Sequence, residues 1–495
     1  MHNRKEIKIN EIPELHEKSK ALLEAVCEAE LDVYRMDNII VRVINNSNVA
    51  KIEPINHIEL RHEISKSAKC IKKYHNTEGD YWVYKEVHPP IDACRDALAS
   101  SHIPLPEIKG IVLHPVVSIN GEVSNKIGYD RNTRLYIDTE KNIIAALCDI
   151  PDKPTEDQIK MAVDNIWDIF ADFKFKNHGS MAAIYALLLT LICRPSINDN
   201  IPAFVIKAAT PGTGKTLLAG AIIRIITGRD AVTANWETNE EELAKDMHSR
   251  LLAGQEYIIF DNINVKIKSG TIAQILTSGI FSKRILGQSK NQEVQCNSTI
   301  IFTANNPELS AEIARRCIPI ELISDVEHPE LRTGFKYKKL LEYILANRAV
   351  LLRSLFIMVQ AWRSSDKSYS GDIATLGSFS KWSYAIGGIL HVCGVKGFLS
   401  NHKDFASTTD IDTDICRQFF LKWYETHNGN PVSAKDLLNI AKDLGISDNR
   451  KPEQSQIKSL GRYISKHEGQ VYEKLKIIPG SQDRGVRRYK ISSLS

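Results

Sequence analysis

Apolar and polar positions recur with two different periods along this chain, and the changes of period mark its parts. Residues 6–30 place apolar side chains at helical spacing and predict an amphipathic helix. From Asp32 to about Ile150, short β-type runs (NIIVRVI, YWVYKEV, GIVLHPVVSI, RLYIDT) are broken by Gly, Pro and Asn, which predicts an α+β domain over residues 1–150. PDKPTED (151–157) is a Pro/Asp-rich joint, and its Pro154–Thr155 stands before a periodic run as a helix-start signal.

From 156 to about 325 strands and helices alternate, the pattern of a parallel sheet. Helices are expected over 156–172 and 178–193, then the strand AFVIK (203–207) and a helix to about Ile226. A helix near 239–252 leads to the strand EYIIF (256–260), and a helix at 271–281 to a hairpin-like stretch, RILGQSKNQEVQC. The strand TIIFTA (299–304), a helix at 309–316 and the strand CIPIEL (317–322) complete a core assigned to 151–330. Residues 331–408 read as a helical lid with a long periodic segment at 338–363. Residues 409–495 read as helices at 411–427, 432–444 and 454–467 followed by a β-wing.

Composition changes this picture little. An apolar fraction of 43% and a charged fraction of 25% are ordinary for a globular protein. The net charge of +4 is unevenly spread: Lys451–Ser495 holds ten Lys/Arg against four Asp/Glu, so that end suits a polyanion. Nine cysteines lie singly with no C-x-x-C, which argues against a zinc site and for reduced thiols of a cytoplasmic protein. MHNRKEIKIN lacks the apolar segment of a signal peptide. The most apolar stretch, Met181–Cys193, falls short of the ~20 residues that span a bilayer and reads as a buried helix, so no membrane partner is expected.

The chemistry starts at KAATPGTGKTLLA (207–219). A phosphate cradle needs inward-facing backbone N–H groups, a helix N-terminus, a lysine, and a hydroxyl for Mg²⁺. Ala209, Thr210, Pro211, Gly212, Thr213 and Gly214 form the expected loop, Lys215 would hold the β/γ-phosphates of ATP, and Thr216 the Mg²⁺, with Leu217 beside it. Ala209 replaces the usual first glycine and is tolerated if its φ is negative.

Four downstream elements narrow the reaction. YIIFDN (257–262) is an apolar strand ending in Asp261, a second Mg²⁺-facing acid of the Walker B kind. IIFTANN (300–306) ends in amides, and Asn305 would orient the attacking water. AEIARRC (311–317) carries Arg316, with Arg315 beside it, where a guanidinium would reach a neighbouring subunit's γ-phosphate. SKRILGQSKNQEVQ (282–295) has a basic tip that would put Lys290 on a nucleic-acid backbone in a central channel. Bland readings of the four are a strand-end turn, another turn, a surface basic pair and a solvated hairpin.

In that order the motifs resemble the ring-forming AAA+ ATPases, and more closely the superfamily 3-type helicase module of phages, plasmids and integrated elements. EEELAKDM, IIFDN, KRILGQS, FTANNPELSAEIARR and NRAVLLRSLFIMVQAW carry the resemblance, while LPEIKGIVLHPVVSINGEV resembles the domain preceding this module in bacterial primase-helicases. It covers about residues 30–400 and implies an AAA+ core on a five-stranded parallel sheet. An arginine acting in trans requires a neighbour, hence an ATP-driven ring expected to have six subunits, and residues 1–150 show no primase acid cluster, so a separate primase or polymerase is the expected partner. The chain departs from the family at Asn262, which stands where a catalytic glutamate is common. Glu240, Glu241 or Glu242 would have to serve instead, and Arg348 and Arg353 are the candidates for a second phosphate-sensing arginine.

The tail reads as a winged helix. Lys458, Arg462 and Lys466 fall at i, i+4 and i+8 on one helix face, and Arg484, Arg487, Arg488 and Lys490 lie in the wing, a pattern suited to duplex DNA. The whole reads as an ATP-dependent DNA helicase or translocase. The alternative is an ATP-switched DNA-binding initiator, loader or regulator that does not unwind. A metabolic P-loop kinase has no use for the arginine pair or the basic wing.

Overall fold

The computed structural model describes residues 4–46, 49–118, 121–284, 291–366, 373–409, 411–448, 450–472, 474–478, 482–483 and 486–493. The chain divides into two compact units, one of residues 1–263, 270–305 and 318–400, the other of 264–269, 306–317 and 401–495.

In the first unit the expected opening helix is instead a strand followed by a helix. Lys5–Lys8 pairs in parallel with Ala68–Ile71, and the helix Leu15–Glu28 begins only after Pro13. Strand pairing buries Ile7, which would otherwise be left on a frayed first turn. Ala68–Asn76 then pairs antiparallel with Tyr81–Val87 at the sheet edge. Helices Leu15–Glu28, His57–Ser67 and Ile91–Ala99 cover this sheet's inner end around Leu22, Val26, Leu60, Ile64 and Ala93.

The mixed α/β centre is built on a five-stranded sheet in the order Thr233–Ala234, Tyr257–Ile263, Thr299–Asn305, Ala203–Ala208, Cys317–Leu322. The first four run parallel. Phe204, Ile206, Ile259, Phe260, Ile301 and Phe302 are fully buried, because helices cover both faces of such a sheet. Thr155 and Gln158 form a capping box that starts the helix Glu156–Phe170. The helix His178–Cys193 continues through the turn Arg194–Ser196, and only that joined 19-residue stretch is long and apolar enough to cross a membrane; most of it lies buried within this core. The long periodic segment at 338–363 forms two helices, Leu340–Ala346 and Arg348–Arg363, bent by 72° at Asn347. Asn347 leaves helical geometry at φ −107° and donates its side chain to Tyr343 O.

In the second unit, helices Ile411–His427, Leu438–Asp443 and Glu453–Lys466 enclose Phe419, Phe420, Trp423, Leu460 and Ile464. Leu475–Ile478 pairs antiparallel with Val486–Ser493, whose other edge takes Val432–Ser433. The helix expected at 432–444 therefore begins late, because Val432–Ser433 is drawn into that sheet.

Candidate active site

The strand Ala203–Ala208 delivers the loop 209–214 onto the helix Lys215–Thr227. Gly212 at φ 74° and Gly214 at φ 90° both take the left-handed backbone that glycine permits. Space agrees with φ: a Cβ on Gly212 would stand 2.7 Å from Glu330 Oε2, and one on Gly214 3.2 Å from Phe173 Cε1. Ala209 is not among the residues of positive φ, which removes the objection to alanine there. Thr213 Oγ1 donates to Thr210 O at 3.3 Å and tightens the loop, while Pro211 and Leu217 are exposed beside it.

Strand order places the chemistry. Thr299–Asn305 lies between the P-loop strand and Tyr257–Ile263, so the asparagine at its end stands between the lysine and the acid. Asn305 pairs in register with Ala208. Lys215 is buried, and its Nζ donates to Asn305 Oδ1 at 2.5 Å. Burial holds the Lys215 ammonium below the usual lysine range, and the nearby Asp261 opposes that shift.

The acid is fixed by hydroxyls from both sides. Thr216 Oγ1 donates to Asp261 Oδ1 and Oδ2 at 3.1 and 3.3 Å. Thr303, fully buried on the neighbouring strand, donates to Asp261 Oδ1 at 2.5 Å and accepts from Asn262 N at 2.7 Å. A break in register between Phe260 and Ile263 makes room for this arrangement. Sequence reasoning misses Thr303, whose one signal is a hydroxyl inside the apolar run IIFTA. Asp261 and Thr216 offer a carboxylate and a hydroxyl, a hard oxygen pair that fits Mg²⁺, whose remaining positions go to phosphate and water. A cavity of about 260 Å³ opens here, lined by Thr216, Leu217, Gly220, Thr233, Asp261 and Leu341.

Asn262 is exposed at φ 51°, a left-handed position that asparagine accepts and glutamate does not favour. The three glutamates considered as substitutes have other partners. Glu240 Oε1 accepts from Thr271 N at 2.6 Å, and Glu241 and Glu242 pair with Lys245 at 3.1 and 2.7 Å. Glu330 and Phe173, which do border the loop, come from segments too distant in sequence to carry a local signal.

The two arginines considered as phosphate sensors lie elsewhere. Arg348 is buried at the opposite end of the P-loop helix, where Nε donates to Ile225 O at 3.1 Å and Nη2 donates to Ile226 O and Leu113 O. Nη1 pairs with Glu140 at 3.3 Å, and burial pulls the guanidinium down to about 10. Arg353 donates to Asp149 O at 3.2 Å. Within the second unit Arg315 is exposed, whereas Arg316, in the turn that follows the helix Ala311–Ala314, is tied to Glu312 of that helix at 3.2 Å, and burial lowers its pKa.

The hairpin Ile280–Arg284/Asn291–Gln295 is rooted by buried Phe281 and Val294, but Lys290 at its tip lies outside the described residues, as does Arg484. Lys458, Arg462 and Lys466 share an exposed face opposite buried Leu460 and Ile464. Arg487 is held by Glu468 at 2.7 Å, Arg488 is half-buried, and Lys490 is exposed.

No family model matches this chain. No curated protein matches it either. Among solved structures it is similar to an apo form of the NrS-1 C-terminal region, at 12% identity over 96% of this chain and 99% of that one, with a TM-score of 0.45. A second apo structure of that region gives 12%, 96%, 100% and 0.41. JCV helicase gives 12% identity over 55% of this chain and 72% of that one, with a TM-score of 0.23. Likeness at this level says nothing about activity.

Proposed function

We propose that the chain is an ATP-hydrolysing DNA translocase or helicase of the AAA+ kind, acting as a ring in the replication of a mobile element. The observation that carries this reading is the meeting of Lys215 and Thr216, at the start of the P-loop helix, with Asp261, Thr303 and Asn305 from two adjacent strands at the end of one parallel sheet. Lys215 neutralises the β/γ-phosphates against the positive end of its helix. Thr216 and Asp261 hold Mg²⁺, which supplies charge neutralisation on the phosphates. Thr303 keeps the Asp261 carboxylate aimed. With Oδ1 on the lysine, the Asn305 amide presents Nδ2 as a donor to a γ-phosphate oxygen or the attacking water. Because Arg316 is engaged by Glu312, we assign the contact in trans to the exposed Arg315. A finger in trans requires a neighbour, hence the ring, taken as a hexamer. The 409–495 segment serves as a winged helix, with Lys458, Arg462 and Lys466 on duplex DNA and the 280–295 hairpin on a single strand.

The test is displacement of a strand from a forked DNA duplex with ATP and Mg²⁺, comparing wild type with Lys215→Ala. Unwinding by the wild type alone supports the reading, and binding of ATP and DNA without unwinding by either removes the motor. One observation favours the second reading, an ATP-switched initiator or loader: the left-handed Asn262 offers no carboxylate to activate water, and Glu240–Glu242 are committed elsewhere. On that reading ATP binding alone changes the assembly state, measurable by sedimentation with a non-hydrolysable analogue.

A further inference from the structure

We infer that the hairpin formed by Ala68–Asn76 and Tyr81–Val87 in the N-terminal region is a binding platform for single-stranded nucleic acid, apart from the ATPase site. The inner part of the first strand, with Ala68, Cys70 and Ile71, is buried. Beyond it the hairpin runs past its covering helices, and no residue of Tyr81–Val87 is fully buried. Four large rings stand in solvent there: Tyr74, Tyr81, Trp82 and Tyr84, from 39% to 57% exposed. Isolated exposed apolar residues need no explanation, but four aromatics on one short edge hairpin do.

Cations are set among these rings. Lys73 pairs across from Tyr84, and His75 from Trp82, so all four share one face. Lys73 Nζ lies 4.6 Å from the Trp82 ring centre, Lys8 Nζ lies 5.4 Å from that of Tyr84, and His75 meets Trp82 edge-on at 4.9 Å. On the other face Lys72 lies over Tyr74 at 5.5 Å. Lys72 also faces Lys85 directly across the ladder, a like-charge pairing that costs stability on its own. Among the described residues none of Lys72, Lys73 and Lys85 has an acidic partner, whereas Glu86 is taken by Arg4 and Asp80 by His75. Aromatic faces interleaved with unpaired ammonium groups match stacked bases on a phosphate backbone. A base that stacks displaces the flexible ammonium onto its own phosphate, and the polyanion relieves the Lys72–Lys85 repulsion.

The experiment is fluorescence anisotropy of labelled oligothymidylate with the full chain and no nucleotide, so its outcome is independent of the ATPase reading. Trp82→Ala/Tyr84→Ala is expected to lose at least about tenfold in affinity, since each stacked base contributes about 1–3 kcal/mol, while basal hydrolysis stays unchanged. Trp82→Phe, which keeps a π-face, is expected to retain most of the binding. Lys72→Gln/Lys73→Gln/Lys85→Gln is expected to flatten the salt dependence by about 0.7 in log–log slope for each phosphate no longer neutralised. Affinity unchanged in the double alanine variant overturns the proposal. So does wild-type affinity in Trp82→Leu, which would mark the patch as an apolar surface for a protein partner.

Discussion

The two ends of the helix Lys215–Thr227 are built from the same parts and put to opposite uses. Each has a glycine of left-handed φ, Gly214 at one end and Gly228 at the other, and each has a buried cation, Lys215 and Arg348. At the C-terminus the cation meets the negative end of the helix dipole and is bonded to the terminal carbonyls of Ile225 and Ile226. That interaction is complete within the protein. At the N-terminus the cation stands at the positive end, where the dipole repels it, with one amide oxygen as its hydrogen-bond partner. On the proposed reading, that charge held against its own helix is reserved for an anion. The difference separates a cation whose partners are complete within the protein from one that the proposed reading assigns to a phosphate, although both are buried and basic.

The comparison can be broken most severely at the structural end. Arg348→Ala should cost about 3–5 kcal/mol by chemical unfolding, because it strands several buried partners, while nucleotide contacts stay in place. Lys215→Ala should do the reverse, lowering ATP turnover about 100- to 1000-fold with the unfolding midpoint held or slightly raised. If Lys215→Ala unfolds the protein and Arg348→Ala spares it, the assignment of roles is inverted.

Smaller effects sharpen the binding end. Thr303→Val removes the hydroxyl that aims Asp261, leaves Asn262 N without its acceptor, and should cost about 1–3 kcal/mol, seen as a raised Mg²⁺ requirement in hydrolysis assays. Gly212→Ala should cost about 1–2 kcal/mol from φ alone, with weaker ATP binding by titration calorimetry as the loop shifts from Glu330. Ala209→Gly should change ATP affinity and melting temperature least, within about 0.5 kcal/mol; a large gain in affinity would mean that the alanine does strain the loop.

The same contrast separates what is readable in the sequence from what is not. Lys215, Thr216, Asp261 and Asn305 are legible because each sits at the end of an apolar strand or the start of a helix, where local pattern alone fixes the position. The parallel sheet is legible for the same reason, since strands buried on both faces read as continuous apolar runs. Arg348 is not, because a basic residue on a helix looks alike whether it reaches a phosphate or a carbonyl 123 residues away in sequence. Thr303, Phe173 and Glu330 are hidden likewise, being defined by what lies across the sheet or over the loop. The opening strand Lys5–Lys8 reads as helix because its pairing partner lies some 60 residues downstream, beyond any local period.

Arg348 has a mechanical consequence. Its guanidinium ties Leu113 and Glu140 of the N-terminal region, the last carbonyls of the P-loop helix and the helix Arg348–Arg363 into one knot. The 13-residue P-loop helix is thereby a rod about 20 Å long, gripped at one end by that knot and, on the proposed reading, meeting phosphate at the other. A rod gripped at one end cannot pivot freely at the other. On the proposed reading, any tilt that followed the nucleotide would carry the N-terminal region with it or break the knot, which would make the helix a tiller.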